Sequence, residues 1–139
     1  MKGMDIEKIR SQLGIKKSWD KKPDGCWLED FEMDVEKMAR TMIKIGARLV
    51  TMTALPVSND DCKMIFHWDL KGHLLNFITA TREGTLPSIA NICPAANWIE
   101  REIHDYFNVK FTGRELPPLV LRPDDLPGIF RWDFKWNGE

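Results

Sequence analysis

The sequence predicts an α+β domain: a mostly antiparallel sheet with helices packed on one side, and an extended, proline-rich C-terminal tail. Three observations lead there. Val35, Met38, Ala39, Met42 and Ile43 recur at i, i+3, i+4, i+7 and i+8, the apolar stripe of an amphipathic helix. Residues 63–70, KMIFHWDL, and 73–81, HLLNFITAT, are runs of strand-forming residues joined by Lys71-Gly72, the signature of a tight hairpin. From Pro117 to Gly128 four prolines interrupt any periodicity. Proline removes a backbone donor and holds its predecessor extended, so this stretch cannot join a helix or a central strand.

The elements follow in order. Residues 5–13, DIEKIRSQL, predict a short helix in which Asp5 caps, Ile6, Ile9 and Leu13 share a face, and Gly14 ends the run. Residues 16–25, KKSWDKKPDG, are polar and rich in turn formers and read as a loop or flexible arm. The Met-rich helix over 34–45 takes Asp34 as its N-cap and Gly46 as its stop, and its stripe is core. Residues 48–55, RLVTMTAL, form a strand ending at Pro56. In the hairpin, Met64, Phe66, Trp68 and Leu70 face one way and Ile65, His67 and Asp69 the other. Residues 82–93 connect to a second strong helix, from Pro94 to about Phe107. Its stripe is Ala95, Ala96, Ile99, Ile103, Tyr106 and Phe107. Trp98, Glu102 and Asp105 border the stripe on one side, Glu100 and His104 on the other, and Arg101 lies on the far side. Val109 to Gly113 reads as a short strand and turn, and the chain runs out in FRWDFKW. The expected organisation is a single domain over 1–139, with an N-terminal helix and loop arm to residue 30, a core over 31–111 and a tail over 112–139.

Bulk properties exclude several function classes. A net charge of −1 lacks the concentrated Lys and Arg that phosphate binding needs, so nucleic acid is not the expected partner. No apolar run approaches the ~20 residues of a membrane span. The start, MKGMDIEKIR, has no apolar leader core, so a cytoplasmic location is expected, with a membrane reached only through partner chains. Cys26, Cys62 and Cys93 are too dispersed for a zinc or cluster motif and read as reduced apolar fillers. Six Trp against a single Tyr, three of them at 98, 132 and 136, is a composition suited to protein contacts.

The densest charged stretch is NWIEREIHDYF, residues 97–107. Glu100, Glu102, His104 and Asp105 are competent acid–base groups, so a stand-alone acid–base enzyme is one reading. No nucleophile elbow, phosphate loop or dinucleotide motif accompanies them. Glu100 and His104 at i, i+4 do not make the i, i+3 pair of helical di-iron sites, and His67 with His73 has no third ligand nearby. The other reading is a helix that packs and docks, presenting Trp98, Glu102 and Asp105 to cationic groups of a partner.

The segment ANWIEREIHDYFNVKFTG resembles the signature of the complex I 30-kDa subunit family, which includes the corresponding short subunit of membrane-bound, energy-converting nickel–iron hydrogenases. Trp98, Glu100, Arg101, Glu102, Asp105, Phe107, Val109, Phe111 and Gly113 carry the likeness. Leu86-Pro-Ser-Ile89 before the helix and Asp124-Asp-Leu-Pro-Gly128 with Arg131 and Phe134 after it agree with the family pattern. The likeness extends over about residues 34–134. Three departures, Arg114 in place of a usual His and Pro118 and Leu119 where complex I members tend to carry arginines, resemble the shorter hydrogenase-type member. Asn108 stands in place of the usual Gly and tolerates the left-handed turn expected there. The resemblance implies a cofactor-free structural subunit of the peripheral arm, on the cytoplasmic face of the membrane. It would dock on the large, catalytic subunit of a ferredoxin-linked hydrogenase near the iron–sulfur subunits, or fill the same role in a complex I-type NADH/quinone oxidoreductase. Electrons would pass through those neighbours. The expected docking residues are Trp98, Glu100, Arg101, Glu102, Asp105, Phe107, Arg131, Trp132 and Phe134.

Overall fold

A computed structural model describes residues 6–135. The chain runs α1 (Ile6–Leu13), β1 (Asp20–Lys22), β2 (Gly25–Glu29), α2 (Val35–Lys44), β3 (Arg48–Pro56), β4 (Cys62–Leu70), β5 (His73–Ala80), β6 (Thr85–Pro87), α3 (Ala96–Phe107) and β7 (Lys110–Thr112). The expected cap at Asp5 and the C-terminal Trp136 lie outside the described residues.

Five strands form one sheet in the order β1-β2-β5-β4-β3. The β3-β4-β5 meander is antiparallel, and the β4–β5 turn places Lys71 and Gly72 at φ 52° and 86°, the left-handed pair of a type I′ turn. One face of the meander, with Leu49, Met52, Met64, Phe66, Trp68, Leu75 and Phe77, is buried under Ile6 and Ile9 of α1 and Val35, Met38 and Met42 of α2. The Asp34 carboxylate accepts the Lys37 N–H at 3.0 Å to start α2, and the Trp68 indole donates to the Met38 sulfur at 3.2 Å below it. The opposite face carries polar side chains in a row: Thr53 Oγ1 lies 2.8 Å from His67 Nε2, His67 Nδ1 lies 2.6 Å from Asn76 Oδ1, and Asn76 Nδ2 donates to the Cys26 carbonyl at 3.3 Å. A helix layer on one face and a polar row on the other is the two-layer α+β plan.

The N-terminal segment departs from its reading as a loop arm. Residues 20–29 fold into a β1–β2 hairpin, and β2 adds to the sheet parallel to β5, with Cys26 opposite Leu75 and Leu28 opposite Phe77. Leu28 is completely buried, and Trp19 packs edge-on against Phe77 at 5.5 Å while donating its indole N–H to the Ile6 carbonyl at 2.9 Å. The core therefore reaches well before residue 31. Gly25 makes the insertion possible: at φ 148°, a Cβ there would meet the Leu74 carbonyl oxygen at 2.8 Å.

Residues 82–93 also hold more order than a connector. Thr85–Pro87 forms β6, which pairs parallel with β7 through Leu86 opposite Phe111. This two-stranded ribbon clamps both ends of the α3 segment.

Candidate functional site

The helix α3 begins two residues after Pro94. Pro94 and Ala95 form the turn before it, Ala95 is exposed rather than part of the stripe, and its side chain makes no capping bond. At the other end Asn108 takes φ 55°, ψ 32°, and its N–H returns to the His104 carbonyl, so the asparagine performs the left-handed stop.

Glu100 sits inside, with none of its surface exposed. It occupies the i+4 position from Ala96 and lies three residues before Ile103, the centre of the buried face. Its Oε1 accepts the Ser88 hydroxyl at 2.6 Å and an Arg114 N–H at 3.3 Å, and its Oε2 accepts the Ile89 backbone N–H at 2.9 Å. Burial raises its carboxyl above the usual carboxylate range, against the lowering pull of these bonds. Arg114 also holds the Asn97 carbonyl and side-chain oxygen, at 3.1 and 2.6 Å. Glu100 thus ties the segment before the helix, and Arg114 the segment after it, to the first turn of α3.

Asp105 does the same for the tail. Its Oδ2 accepts three consecutive backbone N–H groups, of Leu119, Val120 and Leu121, at 2.9, 2.8 and 3.3 Å. Its own carbonyl accepts the Gly128 N–H at 2.8 Å, and the Tyr106 carbonyl accepts that of Phe130, also at 2.8 Å. Arg101 reaches the carbonyls of Pro117 and Pro118 at 3.0 and 2.7 Å. The prolines leave this stretch without a strand or helix partner, and α3 supplies the missing hydrogen bonds. Arg131 closes the arrangement. Its buried guanidinium donates to the carbonyls of Ser58 and Asn59 in the β3–β4 turn and of Phe107 at the end of α3, and lies 3.5 Å from the Cys62 sulfur. Burial pushes the Cys62 thiol up, with Arg131 opposing, and also raises Cys93; both serve as protonated core groups.

These facts correct part of the expected docking set. Glu100, Asp105 and Arg131 are not surface groups; each is buried and consumed by bonds within the chain. Arg101, Phe107 and Phe134 are half-buried, whereas Glu102, Trp98 and Trp132 are exposed, the two indoles at 66% and 62%. The border of Trp98, Glu102 and Asp105 is therefore divided, because the tail covers its C-terminal end. Sequence reasoning misses Ser88, Arg114 and the Ser58–Asn59 carbonyls, since no local pattern links them to α3. The position of Glu100 at the border of the apolar stripe, beside Ala96 and Phe107 on the wheel, is the one available signal.

The acid–base groups Glu100, Glu102 and His104 do not converge. Glu100 is sealed inside, Glu102 is on the solvent side, and His104 Nδ1 lies 2.9 Å from the Val109 carbonyl oxygen. A small open pocket lined by Asn59, Asp60, Glu83, Lys110 and Arg131 contains none of the three.

The fold and this signature helix define a two-layer α+β module, and the same architecture occurs in two solved structures. One is a chain of the membrane-bound sulfane sulfur reductase, an archaeal respiratory membrane complex, with a TM-score of 0.66 at 19% identity over 79% of this chain and 69% of that one. The other is a trypsin-resistant fragment of Nqo5, at TM-score 0.61 and 19% identity over 79% of this chain and 94% of that one. The chain belongs to the family of the respiratory-chain NADH dehydrogenase 30-kDa subunit, whose model matches residues 33–139. Similar proteins include the C/D-type subunit of NADH-quinone oxidoreductase from Phocaeicola vulgatus, 26% identical over a 117-residue alignment that covers 76% of this chain and 22% of that protein. The C-type subunit from Jannaschia sp. is 37% identical over 70 residues, 47% of this chain and 34% of that protein. The C/D-type subunit from Methylococcus capsulatus is 51% identical over 39 residues, 27% of this chain and 7% of that protein. The chain thus spans about a third or less of these relatives' lengths. Among the described residues no helix is long and apolar enough to cross a membrane.

Proposed function

We propose that this chain is a cofactor-free assembly subunit in the peripheral arm of a membrane-bound, ferredoxin-linked nickel–iron hydrogenase. It docks on the large subunit beside the iron–sulfur subunits, at the cytoplasmic face. Membership in a family of respiratory-complex subunits supports a role among partner chains. The observation that carries docking is the surface made by α3 and the returned tail. Trp98, Leu126, Phe130 and Trp132 are all more than half exposed there, while Trp19 and Trp68 are buried in the core. Large exposed apolar groups carried by one helix and by the tail bonded to it suit a contact surface. Tyr106 and Phe130 stack with ring centres 4.4 Å apart, and the bonds to Asp105 and Arg101 hold the tail in place. A surface ordered beforehand loses little entropy on binding.

The departures from the complex I pattern at Arg114, Pro118 and Leu119 support the hydrogenase branch. A second reading, the same role in a quinone-reducing complex, is favoured by the names of the similar proteins, which are NADH-quinone oxidoreductase subunits. Mass spectrometry of what co-purifies with the chain from gently solubilised native membranes separates the two. A large subunit with paired C-x-x-C nickel ligands supports the first reading. The same partner without those cysteines, in a quinone-dependent complex, supports the second. A chain recovered alone, with no partner subunit, overturns both.

A further inference from the structure

The geometry points to Trp98 and Glu102 as a seat for an arginine guanidinium of the partner chain. The indole face offers stacking and the carboxylate offers two charge-assisted hydrogen bonds. The inference rests on the docking reading above and names what one part of that surface receives.

Trp98 and Glu102 are one helical turn apart on α3, so their side chains rise from the same exposed strip. Trp98 is 66% exposed. The cations of this region are committed elsewhere. Arg101, the sequence neighbour of Glu102, spends its guanidinium on the carbonyls of Pro117 and Pro118. Arg114, which ties down the first turn of the helix, is held by Asn97 and Glu100. Among the described residues Glu102 has no ion pair. The other two carboxylates of the motif already have their partners indoors, Glu100 with Ser88, Ile89 and Arg114, and Asp105 with the tail backbone. The strip therefore presents one uncompensated negative charge beside one uncovered indole. A guanidinium satisfies both at once: it is flat enough to lie on the ring and forked enough to pair with the carboxylate. An ammonium, a compact point charge, meets only part of that demand. A purely apolar partner would bury Glu102 without a counter-charge, at a cost that opposes docking.

The test uses the native complex. Trp98→Ala, Glu102→Gln, Glu102→Lys and the Trp98→Ala/Glu102→Gln double variant replace the wild-type chain, and its retention in the solubilised complex is measured against ionic strength. Circular dichroism of each isolated chain confirms the fold. In a separate chain, p-benzoylphenylalanine replaces the exposed Ala95, leaving the pair intact, and the photo-crosslinked partner peptide is sequenced. The expected result is a loss of retention of about tenfold or more for Glu102→Lys, smaller losses for Trp98→Ala and Glu102→Gln, and a double variant less damaged than the two losses multiplied. The sensitivity to ionic strength shown by the wild type should shrink in Glu102→Gln, and the crosslinked peptide should carry an arginine. Glu102→Lys assembling like the wild type while Trp98→Ala fails would overturn the guanidinium and leave docking standing. A crosslinked peptide without arginine would overturn it as well. If the wild-type chain itself retains no partner, it is the docking reading that fails.

Discussion

The Asp105 carboxylate accepts the backbone N–H of Val120 at 2.8 Å, with the N–H groups of Leu119 and Leu121 on the same oxygen. A residue in the last turn of a helix thereby organises a segment that has no secondary structure of its own. This relationship separates Asp105 from Glu102, although the two share a border on the helical wheel.

Asp105→Ala should release the tail. It leaves three backbone donors without their acceptor, and the loss should be about 2–3 kcal/mol of stability. Hydrogen exchange should accelerate at residues 119–121 before it does so in the sheet. Uniform acceleration throughout the molecule would show that the tail and the core are one cooperative unit instead. Asp105→Asn, which keeps an oxygen, should be milder.

Glu100 should give the fold a pH dependence of definite sign. Its carboxyl is raised above its ordinary value of 4.5, first because it is desolvated. Between the unfolded and the raised folded value the native state binds more protons than the unfolded state. Stability contributed by this group is therefore greatest at low pH and falls as pH rises through that window. Urea melts of wild type and Glu100→Gln across the acid range should show the wild type losing ground to the variant as pH increases. A difference that does not vary with pH would mean the carboxyl titrates normally.

Arg131→Ala should destabilise the isolated chain by about 2–4 kcal/mol, because carbonyls of Ser58, Asn59 and Phe107 lose one shared donor in a buried place. Arg131→Lys should not restore it, since an ammonium cannot span the fork. Thermal denaturation decides the matter, and rescue by lysine would reduce the clasp to a simple charge effect.

Trp98→Ala should leave the stability of the isolated chain nearly unchanged in thermal melts, within about 0.5 kcal/mol, as expected for an exposed side chain. A drop of several kcal/mol would place the indole in the core and remove it from any docking surface.

Gly25→Ala should cost about 2 kcal/mol or more in a denaturant melt, because the added methyl meets the Leu74 carbonyl in a backbone conformation that other residues avoid. Equal stability would mean that β2 can shift away from β5 without loss.

Much of the fold can be read along the chain, for a physical reason. The stripe from Val35 to Met42 and the alternation from Met64 to Leu70 are local periodicities, and each already specifies which face is buried. What the chain does not display locally is its long-range pairing. In residues 20–29 Asp20, Lys21 and Lys22 look solvated, and only the Pro23-Asp24-Gly25 turn before Cys-Trp-Leu-Glu hints at a hairpin. Its place beside β5 depends on contacts far along the chain, such as Cys26 with Leu75. Likewise β6 is three residues long and exists because β7 pairs with it. In the candidate site, the exposed Trp98 and Glu102 fall where the wheel places them. Asp105 does not, because the wheel cannot foresee that a tail will return to cover it.

The parallel pairing of β2 with β5 also sets a schedule. The β3-β4-β5 meander joins neighbours through short turns and can form as soon as it is made, whereas β2 must hold its place through the whole of α2, β3 and β4 before its partner strand appears. Closing so long a loop is slow compared with zipping a hairpin. The β1–β2 hairpin, although made before the meander, should therefore dock on β5 after the meander has formed. Without β2 the edge of β5 stands open, an unpaired strand edge of the kind that invites pairing with another chain.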